Sequence, residues 1–325
     1  MLPSFAYLRP ASLREATEAL TDATARAHAG GTDLLGCLRD GILPVSTVVS
    51  LAALDELRGM QETAEGGLRI GALTTLAEVA ASEAVRAGHA ALAEAAASVG
   101  SPQLRNQGTL GGNLCQKPRC WYYRGGFPCL RHGGEVCSAV TGRSQYHSVL
   151  GGEPCYMVHP SDTAAALLAL DASVRVSGPG GPRVVPLWEF FVPPSRDVLR
   201  ETVLGPGEVV VDVLLPRPGP GRRSAYRKVR ARGSWDFAIA GVAVALRLEG
   251  RTVREARVAL SGAAPVPWRA TSAETALVGR PLDGAAARAA AAAAVKGAEP
   301  LRDNAYKVPL LQGLVEAQLL ALAPA

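Results

Sequence analysis

Arg105-Asn106-Gln107-Gly108-Thr109-Leu110-Gly111-Gly112-Asn113-Leu114 is the stretch that decides the fold of this chain. Consecutive glycines let the backbone take left-handed conformations and approach a ligand with no Cβ in the way. Successive N–H groups then face one concavity, which suits an anion such as phosphate. Thr109 and Asn113 add short polar side chains suited to phosphate or sugar oxygens. A second loop repeats the chemistry: Ala29-Gly30-Gly31-Thr32-Asp33 runs out of a predicted strand at residues 25–29. Neither loop is a GxGxxG fingerprint or a P-loop, so a Rossmann or Walker nucleotide site is not supported. One glycine pair alone is commonly no more than a tight turn. The signal lies in two such loops, in this order.

Outward from these loops, the 325 residues suggest two or three domains. The 48% hydrophobic content supports ordinary globular cores and excludes global disorder. No apolar run approaches the roughly 18 residues of a transmembrane helix. The N-terminus shows no basic segment followed by an apolar one, so no signal peptide is read. Of the 34 basic residues only Lys117, Lys228, Lys296 and Lys307 are lysines, and no basic stripe forms, which argues against nucleic-acid binding.

The first part alternates helices and strands. Ser12-Leu13-Arg14-Glu15 and Thr75-Leu76-Ala77-Glu78 are capping boxes; the second predicts a helix to about residue 85. A helix over residues 89–99 and strands at 47–50 and 68–72 complete this part. Ser161 is a plausible N-cap for a helix to residue 170. Pro216-Arg217-Pro218-Gly219-Pro220-Gly221-Arg222 is the strongest linker signal. Beyond it, residues 225–232, 238–248 and 252–261 read as three strands at hairpin spacing. Helices at 271–278, 284–295 and 308–322 follow.

Between these parts lies a stretch, residues 115–156, without helical or strand period. It holds Cys115, Cys120, Cys129, Cys137 and Cys155, five of the six cysteines, within 41 residues; Cys37 stands apart and reads as a small buried residue. So long a structureless segment in a compact domain is usually functional. Four accounts compete. Five is an odd number for a disulfide framework, and no export signal is read. Zinc favours close Cys-x2–4-Cys knuckles, whereas the intervening gaps here are four, eight, seven and seventeen residues. Incidental buried thiols suit a polar Gly/Arg loop poorly. A [4Fe–4S] cluster takes four loop-borne thiolates at irregular spacing and is the favoured account.

Ala29-Gly30-Gly31-Thr32-Asp33-Leu34-Leu35, the Arg105–Leu114 stretch and Pro160-Ser161-Asp162 together resemble the FAD-binding subunits of molybdenum hydroxylases. That family includes the medium subunit of carbon monoxide dehydrogenase and the flavin domain of xanthine dehydrogenase. The resemblance covers nearly the whole chain. It implies an α/β (α+β) fold: a two-subdomain FAD-binding domain of the vanillyl-alcohol-oxidase/PCMH type over residues 1–221, then a carbon-monoxide-dehydrogenase-flavoprotein-like α/β domain over residues 222–325.

By the same resemblance, FAD would be held by Ala29, Gly30, Gly31, Thr32, Asp33 and Leu34, by Thr109, Gly111, Gly112 and Asn113, and by Ser161 and Asp162. Tyr226-Arg227-Lys228-Val229 is similar to the segment that places a lysine near the flavin, which makes Lys228 the candidate; a solvated strand lysine is the alternative. Asn113 and Asp162 stand 49 positions apart, and the excess is the Cys-rich insert. It resembles the insert of the flavin subunits of a periplasmic aldehyde oxidoreductase and of 4-hydroxybenzoyl-CoA reductase. This implies a [4Fe–4S] cluster on Cys120, Cys129, Cys137 and Cys155, with Cys115 left out and an exchange between Cys115 and Cys120 as the main alternative. His147 and His159 read as hydrogen bonders that fix loops.

The function so implied is an electron-transfer subunit of a heterotrimeric molybdenum hydroxylase. Its partners would be a molybdenum-cofactor large subunit and a [2Fe–2S] small subunit, with an external acceptor. Reversed flow in a 4-hydroxybenzoyl-CoA-reductase-like enzyme and a stand-alone FAD oxidase are the alternatives. A cytoplasmic location is expected, or a periplasmic one through export on a partner's signal.

Overall fold

The computed structural model describes residues 1–324 and builds three sheets. The first is parallel: β1 (Ala6–Leu8), β2 (Ala25–His28) and β3 (Thr47–Ser50) lie in the order β1-β3-β2. Parallel neighbours need crossovers, and helices Leu13–Ala19 and Leu34–Arg39 supply them. The first glycine loop therefore leaves the carboxyl end of a parallel strand, the side on which α/β sheets bind ligands.

The second sheet is antiparallel, in the order β4-β5-β8-β6-β7. Its strands are β4 (Met60–Glu62), β5 (Leu68–Gly71), β6 (Ser173–Ser177), β7 (Arg183–Pro186) and β8 (Val209–Leu215). Everything between β5 and β6 leaves this sheet: the capped helices, the second glycine loop, the Cys-rich insert and helix Asp162–Ala169. The single helix expected from residue 75 to about 85 is two, Leu76–Ala81 and Glu83–Gly88. Ser82 turns extended between them, and its hydroxyl accepts from the Val85 N–H as a fresh cap. The second glycine stretch, expected as loop, ends in one helical turn, Leu110–Leu114, capped by Thr109.

The third sheet holds β9 (Arg222–Val229), β10 (Ala240–Glu249), β11 (Thr252–Ser261) and the short β12 (Trp268–Arg269), all antiparallel. Strand side chains alternate faces, and β10 uses both. Val242, Val244 and Leu246 pack toward helices Thr271–Leu277, Gly284–Ala294 and Lys307–Ala321, while Ala243 and Ala245 join the core of the preceding domain. Helix Asp162–Ala169 is buried at all eight positions and lies against β10 and β11. The two halves thus share one continuous apolar seam.

Candidate functional site

The two glycine loops touch. A Cβ on Gly30 would stand 1.8 Å from the Gln107 carbonyl oxygen, and one on Gly111 would stand 2.7 Å from the Ala72 Cβ. Gly31 has φ +70°, which an L side chain rarely adopts. Ala29 and Leu34 are partly buried, and Thr32 and Gly112 are exposed beside the contact. The Thr109 hydroxyl accepts from the Gly112 N–H at 3.2 Å. Asn113 Oδ1 accepts from the Ser161 hydroxyl at 2.5 Å and the Thr163 hydroxyl at 2.7 Å, and so ties the second loop to the segment beyond the insert.

Asp33 faces elsewhere. Its carboxylate accepts from the Lys117 N–H at 2.7 Å and from the Arg124 guanidinium at 2.8 Å, with Arg119 at 3.0 Å. This side chain therefore anchors the insert to the first loop.

Asp162, beside Ser161, is buried. Lys228 Nζ donates to its Oδ2 at 2.6 Å and the Tyr226 hydroxyl to its Oδ1 at 2.7 Å. Burial pushes the Asp162 carboxyl up, against the pull of the Lys228 ammonium. Lys228 is thus no solvated strand residue: its side chain is 4% exposed. Asp162 also lines a cavity of about 410 Å³ between the two halves, with Pro160, Phe237, Ile239, Trp121 and His147 among its other walls. The glycines are not in that lining; Asn113, Ser161 and Asp162 form the connection from loops to cavity.

The insert contains little regular structure: one turn at Trp121–Arg124 and a 3-10 turn at Leu130–His132. All six cysteines are free thiols. Cys120, Cys129, Cys137 and Cys155 line one cavity of about 10 Å³, with Tyr123, Leu130 and Met157 among its walls. Burial pushes the Cys120 thiol up to about 11. Cys155 donates to Cys137, which draws the Cys137 thiol below its ordinary value and raises that of Cys155. Cys115 is outside this cavity; it packs against the main core, and burial pushes it up to about 12. Cys37 is buried beside Cys129, and the Arg124 guanidinium donates to its Sγ at 2.9 Å. Among the described residues no three His, Cys, Asp or Glu side chains converge as a single metal ion requires.

Buried charge holds the insert in place. Glu201 accepts from Lys117 at 2.5 Å and also from Arg131, whose side chain is 3% exposed. Burial, with Arg131 adding to it, pushes Lys117 down to about 8. At the far end, the fully buried Lys307 donates to the carbonyls of Tyr146, His147 and Gly262, and burial pushes it down to about 7. Asn304 donates to the His147 and Ser148 carbonyls. Burial and the nearby Lys307 push His147 down to about 4; burial pushes His159 to about 3. Glu201, Lys117, Arg131 and Lys307 belong to no sequence motif. The scarcity of lysine was the available signal, since two of the four lysines hold the insert and a third, Lys228, pairs with Asp162.

The family model for the FAD binding domain in molybdopterin dehydrogenase matches residues 3–218, and that for the CO dehydrogenase flavoprotein C-terminal domain matches residues 224–322. The chain belongs to the FAD-binding medium subunits of the molybdenum hydroxylase family. Relatives of this family bear it out. The aldehyde oxidoreductase FAD-binding subunit PaoB of Escherichia coli is 39% identical over 91% of both chains. The carbon monoxide dehydrogenase medium chain of Hydrogenophaga pseudoflava is 31% identical over 93% of this chain and 89% of its own. In the solved structure of that dehydrogenase, a chain 30% identical superposes with TM-score 0.79 over 100% of both chains. The mixed α/β architecture expected for the medium subunit is the one observed, and the chain is an oxidoreductase flavoprotein subunit of a molybdenum-hydroxylase-like dehydrogenase complex.

Proposed function

We propose that the chain is the electron-transfer subunit of a heterotrimeric molybdenum hydroxylase of the aldehyde oxidoreductase type, and that it bears a [4Fe–4S] cluster besides FAD. It would link the [2Fe–2S] clusters of a small subunit to an external acceptor, with the molybdenum cofactor on a large subunit. The observation that carries the reading is the cavity shared by Cys120, Cys129, Cys137 and Cys155. Four free thiols from separate loop segments, with apolar and aromatic walls and no carboxylate, are a donor set for iron and sulfide. Thiols around a cube stand farther apart than ligands around one ion, consistent with the lack of a single-ion site. The cavity of about 10 Å³ has to widen to take the cube. Cys115 is committed to the core, which supports leaving it out.

In this reading FAD is held by the loops at Ala29–Leu34 and Thr109–Asn113, by Ser161 and Asp162, and by Lys228. The first glycine loop would offer its backbone N–H groups, with Asp33 acting through its main chain; the second would offer close backbone approach and the Asn113 side chain, since its N–H groups at Leu110, Gly111, Gly112 and Asn113 are bonded within the chain. Ser161 and Asn113 fix the second loop, and the buried Asp162–Lys228 pair lies at the wall of the larger cavity. Bound flavin supplies exchange of one or two electrons, which suits a junction between one-electron and two-electron partners. We take residues 1–221 and 222–325 as the two domains and residues 115–156 as the insert. The expected location is the cytoplasm, with export on a partner's signal as the alternative, which cell fractionation distinguishes. Among the described residues no helix is long and apolar enough to cross a membrane.

The purified chain is expected to contain FAD with about four iron and four sulfide. Cys120→Ser removes the iron signal and spares the flavin; Cys115→Ser spares both. Zinc in place of iron, or iron lost from Cys115→Ser alone, overturns the ligand assignment.

A further inference from the structure

We infer that His147 is a positioning residue for the cysteine centre: its Nε2 donates to Cys120 Sγ and thereby raises the reduction potential of the iron held there. The inference rests on the cluster reading above. Cys120 lies in the lining of both cavities, the small one with the other three cysteines and the large one beside Asp162, and no other residue is common to both. The thiol is therefore the shared wall between the two candidate cofactor positions. His147 Nε2 stands 3.3 Å from its sulfur, and the ring also lines the large cavity.

The direction of the hydrogen bond follows from chemistry. A ligating cysteine is a thiolate and has no proton to donate, so the ring nitrogen must supply it. Nδ1 of His147 has no hydrogen bond of good geometry; the Ser144 carbonyl that faces the ring is the weaker competitor for its proton, so the proton goes to Nε2, where a thiolate is the stronger, charged acceptor. The ring is also held in place. Trp121 meets it edge-on with centroids 5.5 Å apart, and Tyr122 lies at 5.8 Å. The His147 N–H donates to the Ser144 carbonyl at 2.9 Å, and its own carbonyl accepts from Asn304 and Lys307. Two side chains of the last helical region thus fix a residue of the insert. Among the described residues, no side-chain nitrogen is bonded to Cys129, Cys137 or Cys155, so Cys120 is the sulfur with this added donor. A hydrogen bond to a cluster sulfur favours the more negative, reduced state and raises the potential.

The test uses the full chain with its cofactors in place. Iron and sulfide are measured first on the wild type, and their absence overturns the cluster reading itself. EPR-monitored redox titration then compares wild type, His147→Phe and His147→Gln. In His147→Phe the ratio of reduced to oxidised cluster at a fixed potential is expected to fall about tenfold, which is 59 mV for a one-electron couple. His147→Gln, which keeps an N–H donor, is expected to recover most of that shift. The FAD potential should not move. An unmoved cluster potential in His147→Phe overturns the inference, as does an equal shift in His147→Gln. Pulsed EPR on wild-type protein labelled with 15N-histidine decides independently of any variant's folding. A weak nitrogen coupling is expected. No coupling, or one as large as that of a coordinated ring, overturns the inference.

Discussion

At Gly30 a methyl group would land 1.8 Å from a backbone oxygen of the other glycine loop, whereas at Glu201 one carboxylate neutralises two cations of the insert. The cradle is assembled by main chain approaching main chain, and side chains are excluded from the contact. The insert has almost no regular structure to fix it and is fastened at both ends by charged and polar side chains: Asp33 and Glu201 at one end, Lys307 and Asn304 at the other. The difference teaches where each region is vulnerable. Added bulk should break the first, and a removed charge the second.

The largest effect is expected at Glu201. Glu201→Ala leaves Arg131 buried without its counter-charge, a change that costs about 3–5 kcal/mol. Urea denaturation should show that loss, with iron released before flavin; a loss below about 1 kcal/mol would mean that the insert is held by something else. Gly30→Ala comes next. Forcing the loops apart costs about 1–3 kcal/mol, and flavin absorbance per chain should fall while iron is kept. Equal loss of both would erase the distinction between the regions.

The most gradual effect, small at any one pH step, is a pH slope. Lys307 holds its proton up to pH 10.5 when unfolded but only to about 7 when buried. Between these values the unfolded state binds more protons, so stability rises with pH through that window and is flat below it. The slope is at most about 1.4 kcal/mol per pH unit. Lys307→Met should abolish this contribution, seen as a difference in urea midpoints between pH 7 and 10; identical slopes would show that the ammonium is not desolvated as described.

The cradle was readable because a glycine pair is a local demand of the backbone, and local demands are written in consecutive residues. The strands and helices of the last domain were readable for the same reason, in their alternation and caps, save the two-residue β12, which is too short to carry a period. Asp33 shows where reading stopped. Its place in the glycine motif made it a candidate for holding FAD, but that its carboxylate binds Lys117, Arg119 and Arg124 was not readable, because only the folded insert brings them close. Glu201 and Lys307 were opaque in the same way. A buried charge takes its partners, a counter-ion for Glu201 and backbone carbonyls for Lys307, from anywhere in the chain, and neither side carries a mark of the other. The insert itself was visible only through its cysteines.

The bonds between Asp162 and β9, and between the insert and Lys307, also bear on how the protein is made. A ribosome delivers the chain amino end first, so the segment at 161–162 emerges well before Lys228, and His147 well before Asn304 and Lys307. During synthesis the amino-terminal two thirds therefore carries an unpaired carboxylate and a loop fastened at one end only. A fragment ending near residue 218, the natural cut by sequence family, should be a poor folding unit. Whatever loads the insert meets its finished form only after the last helix has left the ribosome.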